Sequence, residues 1–493
     1  MNPPETKAAF GVPPSGGSRA VPPEGGTPNE TVETLSNNAE FNRRDFLKGG
    51  SFATLMTMMG GVPLFADPVP EAKPETKPAD GPKLKVAVIG LGQRGREILD
   101  QLGRSTQAEV AALCDNYPAF LRRSSSKAPG AAQVEDYKAV LANKDIAAVV
   151  IATPSHQHRE IAVAALAAGK HVYCEAPLAT TVEDAKAIAL AAKAAVGKNF
   201  QPGLQMRSHP QRHFLLPFIR SGALGKSVMA RAQWHKKQSW RATSPNAERE
   251  KLVNWRLSRA TSSGLIGEIG IHALDQAGWF LNAHPVAVTG FGSTMLWKDD
   301  GRDVPDTVQV VIEFPGGVRM NYDASLATSF DTEFELLFGS DATVLMREDN
   351  LKNEGAWMFK EVDSALLGWE IYARKENFFK ETGIALVAGA SLQKNMANKG
   401  GEGAVNSLSP LYYALESFLG NCMELDHAVE DFTALFGSAN KQALAESLSG
   451  LKLNGLAANY KDGYAATVLA TMANEAVLSG KRIELKPEMF ELA

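Results

Sequence analysis

One stretch restricts this chain more than any other. A short apolar run, Leu84-Lys85-Val86-Ala87-Val88-Ile89, turns through Gly90-Leu91-Gly92-Gln93-Arg94-Gly95 into a helical pattern marked by Ile98, Leu99 and Leu102. A second apolar run, Val110 to Cys114, ends on Asp115. Strand, Gly-x-Gly-x-x-Gly, helix, strand and acid in that order predict a βαβ unit that binds a dinucleotide. Gly90 permits the tight turn, Gly92 lets backbone approach a pyrophosphate, and Gly95 lets helix pack closely on strand. The helix start offers free N–H groups and a partial positive charge to that pyrophosphate. Asp115 is suited to accept from ribose hydroxyls, which favours NAD because a carboxylate repels a 2′-phosphate. Arg94, Arg122 and Arg123 leave NADP open.

Strand and helix patterns alternate through residues 83–205. Ala148 to Thr153 is apolar without alternation, as expected of a parallel strand buried on both faces. It leads into Pro154-Ser155-His156-Gln157-His158 and an alanine-rich helix. His171-Val172-Tyr173-Cys174 is the next strand, closed by Glu175-Ala176-Pro177, and Thr180 with Glu183 suggests a capping box opening the following helix. This is an α/β, doubly wound parallel sheet, whose ligands lie beyond the carboxyl ends of the strands. Thr153, Pro154, His158 and Glu175 all fall at such ends.

Ahead of this domain, residues 1–40 are polar and rich in Pro and Gly, and read as disordered. Within residues 41–66, Asn42-Arg43-Arg44-Asp45-Phe46-Leu47-Lys48 followed by a weakly apolar run predicts a twin-arginine export signal. That route carries folded proteins, as an exported protein with a cytoplasmic cofactor requires, and implies a periplasmic or extracytoplasmic location. Residues 67–82 read as an extended linker.

After residue 206 the pattern changes to longer strands and hairpins, which predicts a second α/β domain over 206–493 with an open, mostly antiparallel sheet. Thr307 to Phe314 and Val318 to Ala324 form one hairpin, and Phe334 to Phe338 with Ala342 to Met346 a second pair. Residues 352–410 read as an irregular insertion bordering the substrate opening. Leu411 to Met423 and Gly463 to Leu478 are helices. Formal charge is −4, and no basic run outside the targeting region suggests nucleic acid. The 3 cysteines and 9 scattered histidines make neither a disulfide framework nor a metal set, and no membrane span follows the signal region.

Several motifs together resemble the Gfo/Idh/MocA oxidoreductases. They are Ala152-Thr153-Pro154-Ser155-x-x-His158, Ala168-Gly169-Lys170-His171-Val172-Tyr173-x-Glu175-x-Pro177, and Gly267-Glu268-Ile269-Gly270-Ile271-His272-x-x-Asp275, with Arg207, Ser221-Gly222-x-x-Gly225 and Ser479-Gly480-Lys481-Arg482. The resemblance implies NAD(P) held by a Rossmann domain, a sugar or sugar-derivative substrate, and a homodimer or homotetramer formed through the open sheet. It also implies that Glu268 and His272 lie beside its nicotinamide; Arg207, which follows the last strand of the first domain, and Ala176, after Glu175, are further candidate cofactor contacts by their place at the cleft.

Glu268 and His272 stand four apart, so on a helix both face one way. Hydride transfer from an alcohol needs a base for the hydroxyl proton and a group that orients the base. His272 suits the first role and Glu268 the second. Trp234, His235 and Asp275 are candidate substrate contacts, the aromatic ring by stacking on a sugar face. His156 reads as a surface loop residue. The family's Glu-Lys-Pro is here Glu175-Ala176-Pro177, without the lysine that assists proton transfer. Two alternatives to a dehydrogenase follow: an NAD-dependent glycosidase working by transient oxidation, elimination and water addition, and a non-catalytic sugar-binding protein.

Overall fold

The computed structural model describes residues 83–244, 246–347, 355–365, 375–378, 381–386, 408–437 and 440–492. The expectations of a disordered start, a twin-arginine signal and a linker lie outside these residues, as does most of the insertion.

The first sheet is built from β1 (Leu84–Ile89), α1 (Gln93–Leu102), β2 (Ala108–Cys114), α2 (Pro118–Ser124), β3 (Ala132–Val134), α3 (Tyr137–Ala142), β4 (Ala148–Ile151), α4 (His158–Ala167), β5 (His171–Cys174), α5 (Val182–Ala194) and β6 (Phe200–Pro202). Its strand order is β3-β2-β1-β4-β5-β6, and every pair is parallel. The order reverses between β1 and β4, which opens a crevice above their carboxyl ends. β4 and β5 are buried along their whole length, which is why their sequences lack alternation. The capping threonine of α5 is Thr181, whose side chain accepts from Asp184 N–H, one residue beyond the expected Thr180. The two threonines are adjacent, and a shift of one residue leaves the acidic first turn intact.

The second domain continues with α6 (Pro210–Arg220), β7 (Ser227–His235), α7 (Ala247–Val253), α8 (Ile271–Leu281), β8 (Ala287–Ser293), β9 (Thr307–Glu313), β10 (Arg319–Ser325), β11 (Glu333–Gly339) and β12 (Ala342–Arg347). Then come β13 (Gly355–Lys360), β14 (Lys375–Phe378), β15 (Glu381–Leu386), α9 (Pro410–Phe436), α10 (Lys441–Ser449), α11 (Tyr460–Ser479) and β16 (Ile483–Glu484). The sheet order is β14-β15-β13-β12-β11-β7-β10-β9-β8-β16, with β7 and β10 its parallel pair. Both expected hairpins are present. The expectation of an irregular insertion is corrected where the chain is described: β13, β14 and β15 extend the sheet edge. The apolar run through Ala356, Trp357 and Met358 supplies a buried strand that the surrounding glycines obscure in the sequence.

Two late helices return to the first sheet. Leu411, Leu415, Phe418 and Cys422 of α9 pack with Val86, Val88 and Tyr173 on one face. Tyr464 and Val468 of α11 join Ile89, Val149 and Ile188 on the other. α11 also sends Leu469, Ala473 and Val477 into the core of the second sheet. The crevice above β1 and β4 is therefore held in fixed register with the second domain.

Candidate active site

The glycine turn is shaped by what its residues lack. Gly90 has φ +92°, and a Cβ there would lie 2.7 Å from the backbone of Ala152 and Thr153. A Cβ on Gly95 would lie 1.9 Å from the Gly90 carbonyl oxygen, so β1 and α1 meet with no room for a methyl. Gly92 faces open space, with nothing within 4 Å of a Cβ. It is also the N-cap of α1, and no side chain caps that end. A concave turn with an open centre and uncapped helix N–H groups fits a pyrophosphate. Gln93 is exposed and bonds Glu97.

Asp115 ends β2. Its Oδ2 accepts from Leu91 N–H and its Oδ1 from Tyr117 N–H, each at 2.8 Å. These bonds hold the carboxylate still and leave each oxygen further acceptor capacity for ribose hydroxyls. Leu91 is part of the scaffold of the turn: its amide donates to Asp115 and its side chain is fully buried. At the end of β4, Thr153 Oγ1 is buried and meets no partner among the described residues, beside half-exposed Pro154. Such an orphaned hydroxyl suits a ligand that completes it. His158 is a brace behind this end of the crevice. Its Nε2 lies 2.9 Å from the Thr153 carbonyl and its Nδ1 3.0 Å from that of Pro177, so it ties the loops after β4 and β5 together. These residues fit a dinucleotide.

Next to the turn stands a buried charge cluster. Arg94 Nε donates to Glu175 Oε1 at 3.0 Å, and its Nη2 donates to Gln205 Oε1 at 2.7 Å. Burial pushes the Glu175 carboxyl up from its ordinary range, and the Arg94 guanidinium opposes that shift. Ala176 is half-buried beside Leu204 and Ile271, with no side-chain charge where the family lysine would be.

Glu268 lies in a π-helical turn, Ile266–Gly270, that leads directly into α8. Its carboxylate accepts from Ser155 Oγ at 2.9 Å, Ser263 N–H at 3.1 Å and Ser262 Oγ at 3.2 Å. Glu268 therefore does not orient His272 by a hydrogen bond, contrary to the expectation from spacing. The wider turn breaks the α-helical register that would stack residues four apart. Glu268 instead joins the two domains through Ser155. Burial raises its pKa, and Arg256 and the three donors oppose the rise.

His272 is half-buried, and its Nδ1 is buried without a partner among the described residues. Burial first, and then the charge of Arg94, lower its pKa to about 4. The imidazole is thus neutral near neutrality and within electrostatic reach of the glycine turn.

Arg207 and Asp275 are paired with each other. Arg207 Nη2 and Nε donate to the two Asp275 oxygens at 2.7 and 2.9 Å, and Nη1 donates to Asp462 at 3.0 Å. The pair is bidentate, with Asp275 buried and Arg207 half-buried, so the principal partner of each is the other. Trp234 and His235 are consecutive on β7 and point to opposite faces. Trp234 packs against the inner core, whereas His235 Nε2 lies 2.6 Å from Asp323 Oδ2. A single substrate pocket cannot receive both.

Sequence reasoning missed four site residues. Ser155 holds Glu268 across 113 positions of chain, and Gln205 holds Arg94. His156 is not a free surface residue: its Nδ1 lies 3.1 Å from the Thr261 carbonyl. Arg256 lies over Trp255, 4.7 Å from the ring centroid, and its Nε is buried without a partner among the described residues. Its charge reaches both Glu175 and Glu268. Among the described residues no group of side chains could hold a metal ion, and no helix is long and apolar enough to cross a membrane.

Comparison with known proteins bears on the family and the fold. Residues 84–202 match an oxidoreductase family with an NAD-binding Rossmann fold, and residues 217–344 match the GFO/IDH/MocA C-terminal domain. A levoglucosan dehydrogenase of Pseudarthrobacter phenanthrenivorans is 37% identical over 145 residues, which is 29% of this chain and 35% of that protein. A glycosyl hydrolase family 109 protein of Shewanella pealeana is 28% identical over 44% of this chain and 50% of its own length. These matches thus span half or less of either relative. An oxidoreductase domain protein of Kribbella flavida has the same fold, with TM-score 0.61 and 19% identity over 82% of this chain and 99% of that one. With family models matching in both of its domains, the chain belongs to the Gfo/Idh/MocA family and carries an NAD-binding Rossmann domain.

Proposed function

We propose that this protein is an NAD-dependent oxidoreductase acting on a sugar or sugar derivative, with His272 as the acid/base. The observation that carries the reading is the half-buried imidazole of His272, whose Nδ1 meets no partner among the described residues, in the field of Arg94 from the open glycine turn. Bound at that turn, NAD would supply the hydride acceptor. His272 would take the proton of the substrate hydroxyl, which a neutral imidazole can do and an imidazolium cannot. Arg94 and Arg256 would favour the alkoxide that this proton loss develops. The Ser155–Glu268 bond would hold the two domains in the register this chemistry needs. The relation to a levoglucosan dehydrogenase supports a carbohydrate substrate. The paired arginines Arg43 and Arg44 support export in the folded state.

A glycosidase is the second reading, favoured by Ala176 in place of the family lysine and by the likeness to a family 109 hydrolase. One experiment separates the two. The purified protein is incubated with free sugars and glycosides in heavy water. A lactone or keto-sugar formed with reduced cofactor supports the oxidoreductase. Released aglycone with deuterium in the sugar supports the glycosidase. A protein that holds NADH and turns over neither class of compound would overturn both.

A further inference from the structure

Arg249, on α7 of the second domain, reaches back over the first. Its Cζ lies 3.4 Å from the centroid of the Tyr117 ring and 5.2 Å from that of Phe120. Those rings meet edge to face, 5.2 Å apart, just beyond Asp115. The helix is anchored at both ends. Asn246 accepts from Glu248 and Arg249 N–H at its start, and Asn254 bonds Ala242 in both directions at its end. Arg249 is half-buried, and its guanidinium has no hydrogen bond or ion pair among the described residues. A planar guanidinium stacked on a ring keeps its N–H donors in the plane, free for acceptors at its edge. Its charge also reaches the Asp115 carboxylate, the group that reads the adenosine ribose in a sheet of this order.

We infer that Arg249 is a clasp for the adenosine half of the dinucleotide, supplied by the second domain and seated on the Tyr117–Phe120 corner. The inference rests on the NAD-binding reading. It adds that retention of the cofactor depends on a residue outside the Rossmann domain. An aromatic platform aligns the guanidinium, Asp115 and Arg249 together present acceptor and donors to one ribose, and release requires α7 to lift. The stacked fork cannot be replaced by an ammonium, which keeps the charge but not the plane.

The test uses the full chain freed of cofactor, titrated calorimetrically with NADH, ADP-ribose and nicotinamide mononucleotide. Arg249→Ala should weaken NADH and ADP-ribose alike, each by about tenfold, and leave the mononucleotide unaffected. Arg249→Lys should recover only part of the loss. Unaltered ADP-ribose affinity in Arg249→Ala, or full recovery in Arg249→Lys, overturns the clasp while the NAD reading stands. A wild-type chain that binds neither NADH nor ADP-ribose overturns both. Should Arg249→Ala melt early, Arg249→Gln makes the same comparison, and affinity equal to wild type again overturns the clasp.

Discussion

His272 shows how far a single position can be read and where reading stops. Its place in Gly-Glu-Ile-Gly-Ile-His marks it as a candidate base, but not the environment that sets its titration. Burial and the nearby Arg94 lower its pKa to about 4 from the ordinary 6.5. The acid limb of kcat/KM for the free enzyme should therefore lie near 4; a limb that stays unchanged in the residual activity of His272→Asn would remove His272 as the base. The same shift bears on stability. The unfolded chain binds this proton near 6.5 and the folded one only near 4, so the stability from this group is complete above the higher value and is lost as pH falls towards the lower one. The Tm of wild type relative to His272→Gln should fall across that window. His272→Asn should reduce kcat by about 10²–10⁴-fold, with NADH affinity nearly unchanged. Glu268 was equally visible in the sequence, yet its partners were not, because Ser155 lies in the other domain and the π-helical turn alters the expected facing. Its bond to Ser155 predicts strong coupling: Ser155→Ala and Glu268→Gln should be non-additive by about 1–2 kcal/mol in unfolding free energy. Additive losses would mean that the bond is not what joins them.

At the scale of elements, the βαβ start was legible because three glycines, an apolar run and an acid each answer a separate steric need. The structure separates those needs and makes them testable. Gly95→Ala places a methyl against the Gly90 carbonyl oxygen, and overpacking of this kind costs about 1–3 kcal/mol. It should lower Tm with or without cofactor. Gly92→Ala meets nothing within 4 Å in the protein itself. It should leave Tm of the cofactor-free protein unchanged and weaken NADH binding, since the methyl fills the space a pyrophosphate would take. Equal effects of the two substitutions on Tm would contradict this division. Other elements were less legible. The strands β13 to β15 sit among glycines and polar residues that signal loops, and successive pairing of β13 to β12, β15 to β13 and β14 to β15 extends the sheet through them. The extension of α9 from Met423 to Phe436 follows a largely solvated surface with a weak apolar stripe and ends at Gly437, a stop signal that lies well past the last strong apolar positions.

Across the whole molecule, chain order and packing order differ. The six strands of the first sheet are complete by Pro202, yet one of its faces is closed by α9 and the other in part by α11. A hydrophobic pattern reports which face of a helix is apolar and not which sheet that face meets, so this return could not be read from residues 408–479 alone. It has a thermodynamic consequence. Phe418 is fully buried, its ring 5.7 Å from that of Tyr173 on β5, and truncating such a ring costs about 3–5 kcal/mol. If the first sheet were an independent unit, Phe418→Ala would shift only part of the unfolding transition. Because α9 and α11 bind it to the rest of the chain, the two regions should unfold together. Calorimetric and van't Hoff enthalpies should agree for wild type and for Phe418→Ala, with the variant melting earlier as one transition. A fragment of residues 83–205 contains every strand of the first sheet and the glycine turn but lacks both covering helices. It should show no cooperative melt and no measurable NADH binding. A fragment that melts cooperatively and binds NADH as the full chain does would mean that the late helices only decorate a self-sufficient domain, and the register they impose on the active-site crevice would lose its physical basis.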